Sequence, residues 1–481
     1  MNTANFYVDL HCHPALKPYG KSFNSKTAGK NASRRSSKNS IWHYDPPSVF
    51  DKVLNYLTGL TKFSQSNFTA LAYGGVGVVC VSLYPMEKWF VRNKMNNEFL
   101  LDLAANFATG LGKKRIDHIQ GFTDYFKDLQ AEYAFYKQLD GKVVTLKEGK
   151  FRYRLVNSYT EIDIIKAQEE EQGIYTVCVI LSIEGLHVLN TGFKEDPDEQ
   201  EVLRNLEQLK NWEHPPLFVT MAHHFWNHIC GHEESFSGLI KKQAHQRFGM
   251  GLGFTALGKK VLDLLLDTSK GRQILIDVKH MSVKARYEYY LELKTHAAYT
   301  GLPILISHGA VNGLKSPEEP VMVYPETAQK LQSKSINFYD EELIILAKSG
   351  GIIRLQLDER RVASEQTLKT TRHATRRHKI MHYRSELLWN QIQHILEVLD
   401  AEGLFAWDCM AIGSDFDGII DPLNAFWTAE ELPYLSDFLE RHAYNYLQQD
   451  RIHKEFNKIP AGEMIDRIMS LNAMAFLQKH F

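Results

Sequence analysis

The first residues that could carry chemistry are two histidines near the start of the chain. His11 and His13 follow the apolar run Phe6–Val8 with a spacing of two. On a β-strand this spacing puts both imidazoles on the same face, where they can share one divalent metal ion. The pair therefore predicts one corner of a metal site. Cys12 should point to the opposite face and is not expected to be a ligand.

Other strand-like runs end in the same kinds of side chain. The residues that follow them are Glu184, the pair His223-His224, His280, His308 and Asp415. Imidazole and carboxylate are the donors that hydrolytic zinc sites use. If these runs are neighbouring parallel strands, their carboxyl ends meet in one mouth, which predicts a single site.

The number of donors indicates two metal ions. The five expected ligands exceed what one tetrahedral zinc with an open position needs, and they suit two Zn²⁺ ions that share a carboxylate: His11, His13, Glu184, His280 and His308. Such a pair can activate a bridging water. Asp415 is then the expected proton acceptor and donor, and His223 the expected stabiliser of the oxyanion.

The elements that would position these residues are eight short apolar runs separated by helical patterns. Continuous apolar runs are typical of parallel strands that are buried on both faces. The fold class is therefore α/β, a (β/α)8 TIM barrel with its site at the carboxyl ends of the strands. The predicted strands are Phe6–His11, Val76–Leu83, Thr176–Ile183, Leu217–Met221, Gln273–Val278, Pro303–Ser307, Gly351–Leu357 and Met410–Gly413.

The chain is longer than a minimal barrel, and we expect a single metallohydrolase domain over residues 1–481 with two insertions. Residues 84–175 form a helical and hairpin insertion after strand two, and residues 358–384 a basic loop insertion after strand seven. Lys21–Ser40 also has the composition of a basic loop. The predicted elements include helices at Asn97–Leu111, Asp117–Leu139, Gly258–Leu266, Asp340–Lys348 and Ser385–Leu399, and a hairpin at Val143–Val156.

Composition and charge exclude several classes of partner. The formal net charge is −1 over 481 residues, so no global field favours nucleic acid or an anionic membrane. We see no signal peptide and no apolar run near the roughly 20 residues of a membrane span. The five cysteines lack CxxC spacing, which is typical of reduced thiols in a cytoplasmic protein. A small molecule is the expected partner, and the sequence also allows a homodimer.

Several of these stretches resemble the membrane (renal) dipeptidase family of the amidohydrolase superfamily. The resemblance runs in order along nearly the whole barrel, and its most specific parts are the stretches around His280 and Asp415. The matching stretches are Asp9–His11, Gly74–Gly77, Ile183–Gly185, Val219–His223, Gly251-Leu252 with Gly258, Leu275–Ser282, Pro303–His308, Ile412–Gly418 and the terminal helix Asn472–Leu477.

The resemblance implies a role for each of these positions. His11 and Glu184 would bind one zinc, Glu184, His280 and His308 would bind the other, and Glu184 would bridge them. Asp415 would match the catalytic aspartate of the family. His223 would match its substrate-contacting histidine, although the neighbouring His224 leaves the register open by one residue.

The chain departs from the family at two places. The first motif of the family is usually His-x-Asp, whereas this chain has His13 in place of the aspartate. The family also places an arginine after the sixth-strand histidine to bind the substrate carboxylate, and the comparable stretch Ser335–Asp340 contains none. Bidentate binding of a carboxylate needs a guanidinium. Arg360 or Arg361 is therefore the alternative candidate for binding the substrate carboxylate.

We therefore expect a binuclear zinc hydrolase that cleaves an amide bond in a dipeptide or a related small N-acyl amino acid. Two other functions stay open at this point. One is another amidohydrolase activity, such as that of a lactonase or deaminase. The other is a metal-poor barrel that binds a ligand without catalysis.

Overall fold

Ten strands form one sheet in the computed structural model of the chain, which describes residues 6–23, 36–59, 61–92, 109–236 and 246–481. The strands are β1 Tyr7–Cys12, β2 Val76–Leu83, β3 Val144–Leu146, β4 Gly149–Leu155, β5 Ile174–Glu184, β6 Phe218–Thr220, β7 Leu275–Asp277, β8 Leu305–Gly309, β9 Ile352–Leu355 and β10 Met410–Ile412.

Eight of these strands run parallel and almost close into a barrel. Their order is β1-β2-β5-β6-β7-β8-β9-β10, and each pairs in parallel with the next. Backbone hydrogen bonds just beyond β10 return to the end of β1: the Asp415 N–H donates to the His11 carbonyl at 2.9 Å, and the His13 N–H donates to the Phe416 carbonyl at 2.9 Å. The predicted (β/α)8 barrel is confirmed, and each of the eight predicted strands corresponds to one of these.

Burial explains why these strands were visible as continuous apolar runs. Every residue of β2 is buried, and so are nine of the eleven residues of β5. Helices cover one face of each strand, and the barrel interior covers the other. Neither face contacts solvent, so apolar and polar residues do not alternate along the strand. The few polar residues on the strands and at their ends therefore stand out, and most of them belong to the site described below.

Helices surround the barrel, as the alternating pattern predicts. They span Leu16–Ser22, Val49–Thr58, Phe68–Tyr73, Lys88–Val91, Lys113–Gln120, Tyr125–Lys137, Tyr159–Ala167, Glu169–Gln172, Glu199–Lys210, Ala256–Leu266, Val283–Thr295, Pro325–Ala328, Asp340–Lys348, Glu359–Val362, Glu365–Thr371, Arg377–Ala401, Leu432–Leu447, Ala461–Asp466 and Asn472–His480. A π-helical turn, Arg467–Leu471, joins the last two. No helix within the described ranges is long and apolar enough to cross a membrane.

One predicted helix is in fact two. Instead of a continuous helix over Asp117–Leu139, the chain forms Lys113–Gln120 and Tyr125–Lys137. Gly121 ends the first helix, and the Asp124 side chain caps the second by accepting a hydrogen bond from the Lys127 N–H at 2.9 Å. Most of the helix predicted at Asn97–Leu111 lies outside the described residues. Residues 24–35 of the predicted loop Lys21–Ser40 also lie outside them.

The segment 358–384 is helical rather than a loop, which corrects the sequence-based expectation. It contains the helices Glu359–Val362 and Glu365–Thr371 and the start of Arg377–Ala401. Asp358 and Ser364 cap the first two helices through their side chains. In the other long connection, β3 and β4 form an antiparallel hairpin, and β4 also pairs in parallel with β5, which attaches the hairpin to the barrel sheet.

Candidate metal centre

The predicted site residues meet at one end of the barrel. All seven residues are buried, with exposed fractions of the whole residue between 0 and 8%: His11, His13, Glu184, His223, His280, His308 and Asp415. Glu184 lies at the centre, since four of the five histidines have a ring nitrogen within 3.5 Å of one of its carboxylate oxygens. The fifth, His11, has its Nε2 atom 3.8 Å away.

Three of these atoms form a nearly equilateral triangle. Glu184 Oε1 is 3.4 Å from His280 Nε2 and 3.5 Å from His308 Nε2, and the two nitrogens are 3.3 Å apart. Ligand atoms bound to a tetrahedral zinc at 2.0–2.1 Å are separated by about 3.3–3.4 Å. The triangle therefore has the size of one face of a zinc coordination tetrahedron.

A second group of donors consists of His11, His13 and Asp415, and His13 contacts the other oxygen of Glu184. His13 Nε2 is 3.0 Å from Glu184 Oε2, and Asp415 Oδ1 is 3.7 Å from both His13 Nε2 and His11 Nε2. The donor atoms of His11, His13 and Asp415 all lie within 4.8 Å of one another, which is close enough to hold one ion. Glu184 thus presents Oε2 to His13 and Oε1 to His280 and His308, and His11, whose Nε2 is 3.8 Å from Oε1, lies between the two groups.

Three buried nitrogens of His11 and His13 lack the hydrogen bonds that such atoms normally make. Within the described ranges, no hydrogen bond reaches either ring nitrogen of His11 or the Nε2 of His13. Buried polar atoms are rarely left in this state, because the loss of hydration is not compensated. Burial also lowers the pKa of His11 and His308 well below the usual value and that of His280 to about 3. Neutral imidazoles are the form that binds metal, so these residues fit a pair of ions.

Further contacts fix the direction of the imidazoles and of the strand ends. His13 Nδ1 lies 3.1 Å from the Ser82 carbonyl, and His308 Nδ1 lies 2.9 Å from Ser307 Oγ, which leaves both Nε2 atoms facing Glu184. Asp9 and Asp277 are fully buried on β1 and β7, and each accepts hydrogen bonds from backbone N–H groups at the ends of two strands. These hydrogen bonds fix the strand ends that carry the donors relative to one another.

Two of the site residues have unusual backbone conformations. His280 has φ of 65° and Asp415 has φ of 60°. Residues other than glycine rarely occupy this left-handed region, at a cost of order 1–3 kcal/mol each. The surrounding hydrogen bonds hold both residues in this conformation, and strain of this kind concentrates at functional sites.

Asp415 contacts members of both donor groups. Burial, together with the neighbouring negative charge of Glu184, raises the pKa of Asp415 well above its usual value. Its Oδ2 is 3.9 Å from His308 Nε2, while Oδ1 faces His11 and His13. Asp415 therefore stands between the two donor groups, where it can contact an ion and also exchange a proton.

Sequence reasoning missed Glu87, which supports His223. Glu87 follows β2 and is 2% exposed. Its Oε2 lies 2.8 Å from His223 Nδ1 and accepts a hydrogen bond from the Tyr84 hydroxyl, while Oε1 accepts one from the His224 N–H. Burial alone would lower the pKa of His223, but the charges of Glu87 and Glu184 outweigh it and raise the pKa to about 10.

The structure distinguishes His223 from His224. His223 Nε2 is 3.4 Å from Glu184 Oε1, so this ring faces the donor groups. His224 is partly exposed, and its Nδ1 lies 2.8 Å from Ser235 Oγ. His223 therefore occupies the position next to the metal donors, and His224 lies at the rim beside it.

The two candidate arginines, Arg360 and Arg361, differ in the groups that their guanidinium ions contact. Arg360 makes a bidentate ion pair with Asp358, at 2.9 and 2.7 Å, so its guanidinium is already occupied. Arg361 is half-buried and donates to the Ser235 carbonyl. Arg286 donates a hydrogen bond to the Ser335 carbonyl and pairs with Glu342. Arg361 differs from the other two arginines because its hydrogen bond goes to a backbone carbonyl rather than to a carboxylate.

The comparisons with known proteins show the family and the fold. The model of the family described as membrane dipeptidase, peptidase family M19, matches residues 42–454, which is most of the chain. The fold is similar to a structure described as the dipeptidase AC, a metallopeptidase of family M19, with a TM-score of 0.53, 12% identity and 99% of each chain covered. It is also similar to a metallopeptidase from Rhodobacter sphaeroides liganded with a phosphinate mimic of the dipeptide L-Ala-D-Ala, with a TM-score of 0.51, 12% identity and 99% of each chain covered.

One curated relative points elsewhere, but only over a short stretch. Over 172 residues the chain is 24% identical to phosphatidylinositol-3-phosphatase SAC1-A of Danio rerio. The match covers 34% of this chain and 28% of that protein, so it assigns neither family nor activity. The family model covers most of the barrel, and the barrel carries the donor groups. The chain belongs to the membrane dipeptidase family, peptidase family M19, and is a metal-dependent hydrolase of the dipeptidase type.

Proposed function

We propose that this chain is a binuclear zinc hydrolase that cleaves the amide bond of a dipeptide or a related small N-acyl amino acid. The observation that carries the proposal is the division of the donors around Glu184. His280 and His308 lie 3.4 and 3.5 Å from one of its oxygens, and His13 lies 3.0 Å from the other. His11 and Asp415 complete the second group.

The bound metal would supply Lewis acidity and a water molecule that ionises near neutral pH. The protein residues supply the remaining steps. Asp415 takes the proton from the attacking water and returns it to the leaving nitrogen, which suits a carboxyl group whose pKa is raised by burial and by Glu184. His223 donates from Nε2 to the carbonyl oxygen as negative charge develops on it.

The test is a hydrolysis screen with the zinc-loaded protein. We expect turnover of dipeptides or N-acyl amino acids, and loss of that turnover when a chelator removes the metal. Lactones and aminated nucleobases serve as comparison substrates for the other amidohydrolase reactions. If they turn over while every dipeptide and N-acyl amino acid fails, the proposed substrate class is wrong.

Glu87 should matter for the rate because it acts through His223. Replacement Glu87→Gln removes the charge beside His223 Nδ1, so the imidazolium that would face the substrate loses its counter-ion. We expect kcat to fall by about 10- to 100-fold, with little change in KM or zinc content. Steady-state kinetics and metal analysis measure these quantities.

The matched control for this variant is Glu132→Gln. Glu132 is also a buried glutamate and accepts a hydrogen bond from the Tyr84 N–H, but it is not a member of the donor groups. Its replacement should leave kcat within about threefold of the unmodified protein. Equal losses in the two variants would mean that Glu87 acts only on the fold.

Two further properties belong to the proposal. We place the enzyme in the cytoplasm because its five cysteines are buried free thiols. A homodimer stays a prediction, which a measurement of mass in solution tests.

A further inference from the structure

The helix Val49–Thr58 turns its apolar face away from the protein. Its one buried residue is Asn55, whose Nδ2 donates hydrogen bonds to Asp421 Oδ1 at 3.1 Å and to Thr61 Oγ1 at 3.3 Å. A helix of a globular domain normally packs its apolar face against the core. Here the arrangement is reversed, because five large apolar residues have exposed fractions between 49 and 79%: Val49, Phe50, Val53, Tyr56 and Leu57.

These five residues, which we call the apolar face, form one continuous patch. Residues three, four and seven positions apart lie on the same side of a helix. The helix itself is well defined at its start, since Ser48 Oγ accepts a hydrogen bond from the Asp51 N–H and the Asp51 carboxylate accepts one from the Ser48 N–H. Contiguous apolar patches of this kind on a protein surface mark contacts with another molecule.

A positively charged segment lies directly beside the apolar face. The Arg372 guanidinium is 5.8 Å from the centre of the Tyr56 ring. Arg372 belongs to the basic segment Glu365–Lys379, which contains five Lys or Arg and one acidic residue. All five basic residues are exposed: Lys369, Arg372, Arg376, Arg377 and Lys379. Among the residues that the structure describes, the one ion pair that they make is that of Lys369 with Glu365, at 3.8 Å.

Both elements border the loop that carries Asp415. Thr61, just after the helix, donates from Oγ1 to the Ile420 carbonyl at 2.8 Å. The Glu359 N–H, which lies shortly before the basic segment, donates to the Asp421 carbonyl at 2.9 Å. The apolar face and the basic segment therefore lie at the same end of the barrel as the metal centre.

An anionic lipid surface complements both parts of this region. The boundary between head groups and acyl chains accepts the apolar face of a helix, and lipid phosphate groups attract lysine and arginine. A second copy of the chain fits less well, because a symmetric contact through the apolar face would bring two basic segments together. The formal net charge of the whole chain is −1, so the attraction comes from this segment and not from a global field.

We propose that the apolar face and the basic segment bind the surface of an anionic membrane. The helix Val49–Thr58 lies in the interface, and the lysines and arginines contact lipid phosphates. The contact is peripheral, since this helix has 10 residues and a membrane span needs about 20. None of the metal donors takes part, so the inference does not rest on the proposed hydrolysis.

The test is co-sedimentation of the full chain with lipid vesicles. Vesicles of phosphatidylcholine with about one-third phosphatidylglycerol are compared with vesicles of phosphatidylcholine alone. We expect binding to the anionic vesicles to be at least about tenfold tighter and to weaken as the salt concentration rises. Equal binding to the two kinds of vesicle, or no binding to the anionic ones, would overturn the proposal.

Two double variants test the two parts of the surface separately. Phe50→Ser with Leu57→Ser removes apolar contact, and Arg376→Gln with Arg377→Gln removes positive charge. Each should weaken binding to the anionic vesicles at least about tenfold. All four positions are exposed, so the fold accepts these changes, which an unchanged melting temperature verifies. Unchanged binding in either double variant would contradict the role of that part.

The matched control is Phe456→Ser. Phe456 is also an exposed phenylalanine, but it lies at the other end of the barrel, where Asn457 Oδ1 accepts a hydrogen bond from the Ala406 N–H shortly before β10. This replacement should change vesicle binding less than about twofold. A loss as large as that in Phe50→Ser with Leu57→Ser would overturn the proposal, because binding would then not depend on the apolar face.

A second copy of the chain is the competing occupant of the apolar face. If the mass in solution is that of a dimer and Phe50→Ser with Leu57→Ser converts it to a monomer, the face is a contact between copies and the proposal is overturned. Removal of metal by a chelator should leave vesicle binding unchanged. Loss of binding with the metal would place the lipid contact at the metal centre and would also overturn the proposal. Failure of the protein to hydrolyse dipeptides would leave this inference intact.

Discussion

Replacement Glu184→Gln is expected to empty the metal centre and abolish activity. The zinc content should fall from two ions per chain to below one, and kcat/KM should fall at least about a thousandfold. Two divalent ions about 4 Å apart repel by roughly 17 kcal/mol at an effective dielectric constant of 20, so the negative charge between them is essential. The neutral amide of glutamine leaves that repulsion in place. Metal analysis and steady-state kinetics measure the two losses.

Glu132→Gln is the matched control for this variant as well. It replaces a carboxyl group by an amide at a buried position outside the donor set. Burial raises the pKa of the Glu132 carboxyl group to about 8. A side chain that is already protonated near neutral pH loses little when an amide replaces it. The zinc content of this control should stay at two. Full zinc content in Glu184→Gln would contradict the bridging role of Glu184.

Asp415→Asn is expected to remove the proton carrier while leaving the metal in place. We expect kcat to fall by about 10²- to 10⁴-fold, the usual range for a general acid and base. The amide oxygen still reaches the place of Oδ1, which lies 3.7 Å from His11 Nε2 and His13 Nε2, so zinc should remain near two ions per chain. Rapid-quench or steady-state kinetics, together with metal analysis of the same sample, test this.

A second aspartate in the same loop provides the contrast. The Asp417 carboxylate accepts hydrogen bonds from Lys17 Nζ and from the N–H groups of Gln65 and Ser66, so it holds the loop rather than the metal. Asp417→Asn should lower the melting temperature. Asp415→Asn should lower kcat and leave the melting temperature unchanged. Unchanged turnover in Asp415→Asn, or loss of one zinc, would assign Asp415 to a role other than proton transfer.

The sequence predicted the barrel and the members of the donor groups for a physical reason. Strands buried on both faces leave long apolar runs, so a polar residue at the end of one is conspicuous. His11, Glu184, His280, His308 and Asp415 each end or follow such a run, and parallel topology brings those ends together. Their assignment as metal ligands and proton carrier stays a prediction.

Glu87 was harder to find from the sequence because no periodic signal marks it. Glu87 lies in an aromatic connection after β2, and its importance comes from the distance to His223, which is 136 positions away. Long-range contacts of this kind leave no trace in local composition.

The helical nature of segment 358–384 was missed for a different reason. Its many basic residues suggested a solvated loop, although Ser364 followed by Glu365 is typical of a helix start. In the structure Ser364 caps the start of this helix, because its Oγ accepts a hydrogen bond from the Thr367 N–H. The local capping residues therefore predict the structure of this segment better than its charge composition does.

The zinc content of the purified, zinc-loaded wild-type protein tests the central claim most directly. Inductively coupled plasma mass spectrometry after extensive dialysis measures the number of tightly bound ions per chain. The arrangement of two donor groups around Glu184 predicts a value close to two. A value of one or less would contradict a binuclear centre.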